Sequence, residues 1–314
     1  MSIESAAPAT PNPPSRGSGA GVAYGFGAYL LWGVLPIYFV LLAPSGPWEI
    51  LSWRVLLSLV FCALLLTVTR AWRRFAAILR VPRLALWSVV AGVLIYVNWQ
   101  VYLIAATTGQ VLEASLGYFI NPLATIVLAV LVLHERVRPL QWAAVGVAAI
   151  AVIVIVVFYG SVPWLALTLS ASFALYGLVK KMHLAGRVDA VTGLTLETLW
   201  LTPIAIVQVI VVGVTTGITF GQNGPVHTTL MILAGAATAV PLLLFAAASS
   251  RVSLAAVGML QFTAPILQFL VGAFLMHEHM PPERWAGFAL IWVACILLVI
   301  DLVRQGRISR RSRA

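Results

Sequence analysis

The sequence predicts an all-α membrane protein: ten transmembrane helices arranged as two five-helix repeats of inverted topology, with both termini on the cytoplasmic side. Three observations carry this. Hydrophobic residues make up 61% of the 314-residue chain and charged residues 9%, with a mean hydropathy of +1.02, whereas soluble domains carry about 25% charged residues. The apolar residues come in continuous runs of about 20, the length a helix needs to cross a bilayer, and not in the alternating runs of about ten that build a membrane β-barrel. Motifs also recur between the two halves: AATTGQV (105–111), Pro122 and His134-Glu135 are matched by AASSRV (247–252), Pro265 and His277-Glu278.

The apolar runs place helices at 21–42, 48–69, 84–106, 111–133, 139–158, 162–181, 190–214, 228–248, 254–275 and 284–303. Pro47, Pro82, Pro139, Pro163, Pro225 and Pro282 stand at or just before helix starts, where a missing N–H costs nothing. Pro36, Pro122, Pro203, Pro241 and Pro265 fall within spans and predict kinks. Residues 1–20, rich in Pro, Ser and Ala, lack the basic start and apolar core of a signal peptide and read as a disordered cytoplasmic tail. Residues 304–314 form a basic cytoplasmic tail.

The basic residues set the orientation. With the N-terminus inside, seventeen of the nineteen Lys and Arg residues fall on the cytoplasmic side; only Arg284 lies outside and only Arg54 within a span. The net charge of +10 is therefore spread over loops, with no folded basic face for nucleic acid. Cys62 and Cys295 lie inside apolar runs, where core packing is their expected role.

A repeat of five spans is odd-numbered, so the second copy must cross in the opposite sense. The repeats are expected over 21–158 and 162–303. Trp32-Gly33 matches Tyr176-Gly177, Arg54 matches Glu197, Pro139 matches Pro282 and Trp142 matches Trp285, all at nearly constant spacing. Inverted repeats recur in secondary transporters, with the ligand site between the halves near the bilayer midplane.

The residues NWQVY (98–102), EASLGYFINPL (113–123) and HER (134–136), set in a five-plus-five repeat, resemble the RarD branch of the EamA transporters in the drug/metabolite transporter superfamily. The resemblance covers roughly residues 21–303; the counterpart AAVGMLQFTAP (255–265) matches the fourth-span motif only loosely. Members of this branch are labelled chloramphenicol-sensitive proteins. The resemblance implies a multi-pass carrier of the bacterial inner (plasma) membrane for small metabolites or drugs.

The candidate site residues cluster around the fourth span. Residues four apart share a helix face, so Glu113, Gly117 and Asn121 form one stripe, with Tyr118 beside it, and Asn98 and Tyr102 form another on the third span. Polar side chains at such depth do not face lipid. They either line a cavity or hydrogen-bond between helices as structural glue. Gly117 admits either a ligand or another helix. Gln261 is the loose counterpart of the asparagine before Pro122. Trp32 and Tyr176 occupy equivalent places and either stack on a ligand or pack helix against helix.

Arg54 and Glu197 are the charges well inside spans, each about 10 Å deep at 1.5 Å per residue. They are expected as repeat equivalents and not as partners. An Arg54–Glu113 pair fits the depths and is either an outer gate or a permanent structural contact. Glu197 has Lys180 or Lys181 as its only basic candidates; left without a partner, it or Glu113 is a proton-coupling group.

No cofactor or metal is expected: HERVR (134–138) and HEHMP (277–281) do not complete H-E-x-x-H, and no G-x-S-x-G or Walker pattern occurs. The expected partners are the lipid bilayer, a small molecule (amino-acid-like, metabolite or drug) and, as a coupling candidate, protons. The sequence thus points to a secondary transporter without enzymatic activity, against the alternatives of a membrane-embedded enzyme or a structural membrane protein.

Overall fold

A computed structural model describes residues 19–160, 162–249, 251–252 and 254–311. The expected N-terminal tail, apart from Gly19 and Ala20, lies outside the described residues, as do Ser250 of the second AASSRV run and the last three residues of the basic tail. Every regular element among the described residues is helical: α1 (Gly19–Val40), α2 (Pro47–Val68), α3 (Trp72–Leu79), α4 (Pro82–Thr107), α5 (Val111–Leu133), α6 (Pro139–Tyr159), α7 (Trp164–Val179), α8 (Ala190–Thr215), α9 (Gly224–Ser249), α10 (Leu254–Leu260), α11 (Thr263–Leu270) and α12 (Pro282–Arg311). Wider π-turns extend α7 over Lys180–Leu184 and α11 over Val271–Leu275.

Among the described residues nine helical segments are long and apolar enough to cross a membrane, with Ala256–Leu275 counted as one. Trp164–Val179, at 16 residues, is shorter than these and reaches its full length only with the π-turn that follows. Proline opens α2, α4 and α6, at positions whose N–H has no helical partner. Asp189 caps α8 by accepting the Thr192 N–H at 3.1 Å.

Two features depart from the expected elements. The span 254–275 is broken at Gln261-Phe262, so Pro265 sits in the first turn of α11, where it removes no helical hydrogen bond, instead of kinking a continuous helix. The short α3, WRRFAAIL, lies between the second and third spans. It buries Phe75 and Ile78 against Leu66 and Leu196 and leaves its arginines outward, with Arg74 3.6 Å from Asp189.

Successive helices alternate between two ends of the bundle. One end holds the α1–α2, α4–α5, α6–α7, α8–α9 and α11–α12 connections and is called here the Glu113 end. The other holds the α2–α4, α5–α6, α7–α8 and α9–α10 connections and is called the Lys180 end. The principal pairings are α2 with α8 and α9, α1 with α9 and α11, α4 with α7 and α8, α5 with α7 and α11, and α6 with α12.

Small residues allow two of these contacts. A Cβ on Gly117 would stand 2.7 Å from the Ala166 carbonyl oxygen, and one on Gly235 2.5 Å from the Leu57 carbonyl, so α5 meets α7 and α9 meets α2 backbone to backbone. The apolar interior falls into two main clusters. One joins α1, α2, α4, α7, α8, α9 and the start of α5 around Phe39, Ile50 and Leu103; the other joins α5, α6, α11, α12 and Ala166 of α7 around Phe119, Phe269 and Phe288.

Candidate functional site

The polar residues of the interior gather at three levels. Nearest the Glu113 end, carboxylates hold helix starts. Glu278, in the loop before α12, accepts the Val111 N–H at 2.6 Å and the Leu112 N–H at 2.9 Å. Glu113 in turn accepts the Leu165 N–H at the start of α7 at 3.0 Å. Both place negative charge at the positive end of a helix, where free N–H groups need acceptors. Burial pushes the Glu278 carboxyl above the ordinary glutamate range, opposed by the two N–H bonds and by the charge of Arg284. Across the same end Glu49 accepts the N–H groups of Thr219 and Phe220, both at 2.9 Å, and a chain of bonds runs from Thr219 through Ser45 to the buried His227.

One level deeper lies Arg54, 4% exposed. Its Nε donates to Thr238 Oγ1 at 2.6 Å. Its guanidinium carbon sits 4.5 Å from the centre of the Trp99 ring and 5.4 Å from that of Phe39. The Arg54–Glu113 pair that the depths allow is not formed: Arg54 reaches Thr238, and Glu113 bonds the start of α7. The reason is azimuthal. α2 packs on α8 and α9, whereas α5 packs on α7 and α11.

Asn98 is buried on α4, and its Nδ2 donates to the Leu169 carbonyl at 3.0 Å and to Ser172 Oγ at 3.1 Å, while its Oδ1 accepts the Tyr118 hydroxyl at 3.1 Å. It thereby ties α4 to both α5 and α7. The Tyr102 hydroxyl and Asn121 Oδ1 are buried without a hydrogen-bond partner. Gly117 is occupied by α7, which lies against it where a ligand or a helix was expected.

At the Lys180 end, Glu197 is 1% exposed and is paired. Lys180 Nζ lies 2.9 Å from its Oε1, and the Tyr176 hydroxyl donates to its Oε2 at 3.1 Å while accepting from Lys180 at 2.9 Å. Of the two basic candidates, Lys180 is the partner; Lys181 turns outward to Glu135 at 2.8 Å.

Aromatic rings connect these levels. Phe39 and Tyr102 lie 6.0 Å apart centre to centre, Tyr102 and Tyr118 5.6 Å, Tyr118 and Phe173 6.2 Å, and Phe173 and Tyr176 6.0 Å. The series runs from the Arg54 environment to Glu197. Trp32 stands apart from it, packed on Tyr29 and Phe245 at 5.4 and 5.9 Å, with its carbonyl accepting Gln268 Nε2. Gln261 stands at the break between α10 and α11.

Phe39, Trp99, Phe173 and Thr238 belong to this arrangement without having been singled out in the sequence. Apolar and aromatic residues on a span are too common for spacing to mark them. Glu278 carried one signal, its match to Glu135, but nothing local tells that it crosses to another helix.

Comparison with known proteins agrees with this architecture. The EamA-like transporter family matches residues 19–157. The protein RarD of Streptomyces exfoliatus is 44% identical over 294 residues, covering 94% of this chain and 91% of that protein. RarD of Escherichia coli (strain K12) is 39% identical, covering 91% of this chain and 96% of its own. A Pseudomonas aeruginosa protein named chloramphenicol-sensitive protein RarD is 28% identical over 94% of this chain. A solved crystal structure shares the fold, with a TM-score of 0.57 at 17% identity, over 91% of this chain and 98% of its own. Apolar spanning helices, a polar interior strung between two ends and these relatives lead to one conclusion: the chain belongs to the EamA-like transporter family, in its RarD branch, and is a multi-pass inner-membrane transporter.

Proposed function

We propose that this chain is a secondary carrier of small organic molecules that works by alternating access between two inverted five-helix repeats, 21–158 and 162–303, with both termini in the cytoplasm. The observation that carries the reading is the pattern of helix pairing. If α1 is exchanged with α7, α2 with α8, α4 with α9, α5 with α10 and α11, and α6 with α12, then the pair α4/α7 becomes α9/α1, α5/α7 becomes α11/α1, and α2/α9 becomes α8/α4. All three products are themselves observed pairs, while α2/α8 and α6/α12 map onto themselves. A packing that returns to itself on exchanging halves supports a duplicated bundle, and such a bundle can rock between two equivalent arrangements.

The family match over 19–157 has the extent of one such repeat. In this reading α7 with its π-turn is a tenth span, and the Lys180 end, where fifteen of the seventeen Lys and Arg among the described residues gather, faces the cytoplasm. The names of the relatives support small organic cargo, a drug among the candidates. The path follows the aromatic series past Tyr102, Tyr118 and Tyr176, with Asn98 and Asn121 beside it. Glu113 and Glu278 close the outer end by holding the starts of α7 and α5. Glu197, held by Lys180 and Tyr176, is the group through which flux is coupled to a pH gradient.

Uptake into proteoliposomes of labelled amino acids and amphenicols, with and without a pH gradient, tests the reading. Saturable flux is expected, reduced in Asn121→Ala, with only the gradient-driven part lost in Glu197→Gln. Flux no higher than in empty liposomes for every compound sinks the carrier reading.

A further inference from the structure

Among the described residues Arg54 is a buried cation without a counter-charge. The ion pairs among the described residues are Arg74–Asp189, Arg138–Asp301, Lys180–Glu197 and Lys181–Glu135. Of the other carboxylates among the described residues, Glu49, Glu113 and Glu278 are bonded to backbone N–H groups and Glu283 stands in the first turn of α12. None of these acids reaches Arg54, whose hydrogen bond goes to the neutral hydroxyl of Thr238. Its Nη1 is buried and has no acceptor. A desolvated, unpaired guanidinium is costly to keep, because burying a charge without a partner forfeits hydration that nothing replaces. Stacking on Trp99 and Phe39 offsets part of this cost but leaves the Nη1 N–H groups unsatisfied.

A second unsatisfied donor stands beside it. Tyr102, 4% exposed, has no hydrogen-bond partner for its hydroxyl. Its ring and the Arg54 guanidinium both flank Phe39, at 6.0 and 5.4 Å. Two buried donors, one of them charged, border an apolar wall of Phe39 and Trp99. This resting on the carrier reading above, we infer that Arg54 and Tyr102 form a binding site for the carboxylate of a small organic monoanion whose aromatic or apolar body lies against Phe39 and Trp99. The planar guanidinium suits a carboxylate. One buried positive charge balances one negative charge, and the aromatic walls give a bare inorganic anion nothing to pack on.

Binding by the full chain in lipid nanodiscs is the test, with phenylacetate against its uncharged isostere phenylacetamide and the cation phenethylamine. Ligand that binds only the folded state raises the unfolding temperature. Phenylacetate is expected to raise it and the other two are not. Losing a hydrogen bond to a charged group weakens binding by about tenfold to a hundredfold, so Arg54→Gln is expected to lose phenylacetate affinity by that factor and Tyr102→Phe by a smaller one. Should Arg54→Gln fail to fold, the acid–amide difference in the wild type and its reduction in Tyr102→Phe decide the matter. Equal binding of acid and amide, no binding of phenylacetate, or unchanged affinity in Arg54→Gln overturns the carboxylate site. Flux of a neutral or cationic compound in proteoliposomes would then still uphold the carrier.

Discussion

Lys180 Nζ and Glu197 Oε1 lie 2.9 Å apart, and the Tyr176 hydroxyl bonds to both residues. The carboxylate is almost wholly buried, while the lysine side chain keeps 35% exposure, so the two partners are not equivalent. Removing the lysine strands a buried charge, which typically costs about 3 kcal/mol or more for a pair out of water. With Lys180 still wetted, the lower end applies. Lys180→Met is expected to lower the unfolding temperature by several degrees, and adding Glu197→Gln in the same chain is expected to restore most of it. Thermal unfolding in detergent reads both; a Lys180→Met protein as stable as wild type would contradict the pairing.

The contact of Gly117 with Ala166 leaves no room for a side chain. Gly117→Ala puts a methyl group 2.7 Å from a backbone oxygen and should cost about 1–3 kcal/mol through overpacking. Gly177, with nothing within 4 Å of an added Cβ, is the control. Gly177→Ala is expected to be neutral or stabilising by up to about 1 kcal/mol, the helix-propensity difference. If both substitutions had the same effect in unfolding experiments, close approach of α5 and α7 would not be the constraint at 117.

Asn98 spends its amide on α7 and its carbonyl on Tyr118. Asn98→Ala is expected to destabilise by about 1–2 kcal/mol, a range set by interhelical hydrogen bonds in membrane proteins. Tyr118→Phe should cost less, since it removes only one of the bonds. A double-mutant cycle between the two is expected to give a non-zero coupling energy, and strict additivity would count against the bond.

Glu278 gives a pH prediction. Burial raises its carboxyl above the ordinary glutamate value in the folded protein. A group with a raised folded value contributes stability that is complete below the unfolded value and is lost as pH rises through the folded one. Relative to Glu278→Gln, which does not titrate, the wild type should therefore gain stability as pH falls from neutral through that window. Unfolding temperatures of the two proteins between pH 7 and pH 4 check the sign, and a difference that moves in favour of the variant on acidification would refute it.

Composition and run length were enough to establish a polytopic helical membrane protein, because the bilayer imposes its thickness and its intolerance of unpaired backbone on any sequence that crosses it. Helix starts were legible through proline: Pro47, Pro82 and Pro139 open α2, α4 and α6. Depth was legible too, since rise per residue is constant, and it rightly brought Lys180 forward as a candidate for Glu197. Rotation about the helix axis was not. Depth alone allowed Arg54 to meet Glu113, but packing turns α2 toward α9, so Arg54 meets Thr238 and the rings of Phe39 and Trp99 instead. The aromatic series and the hold of Glu278 on Val111 belong to the same class of fact. They depend on which helix faces which, and that is decided by close contacts such as Gly117 on Ala166 and Gly235 on Leu57, where side chains distant in sequence compete for the same volume.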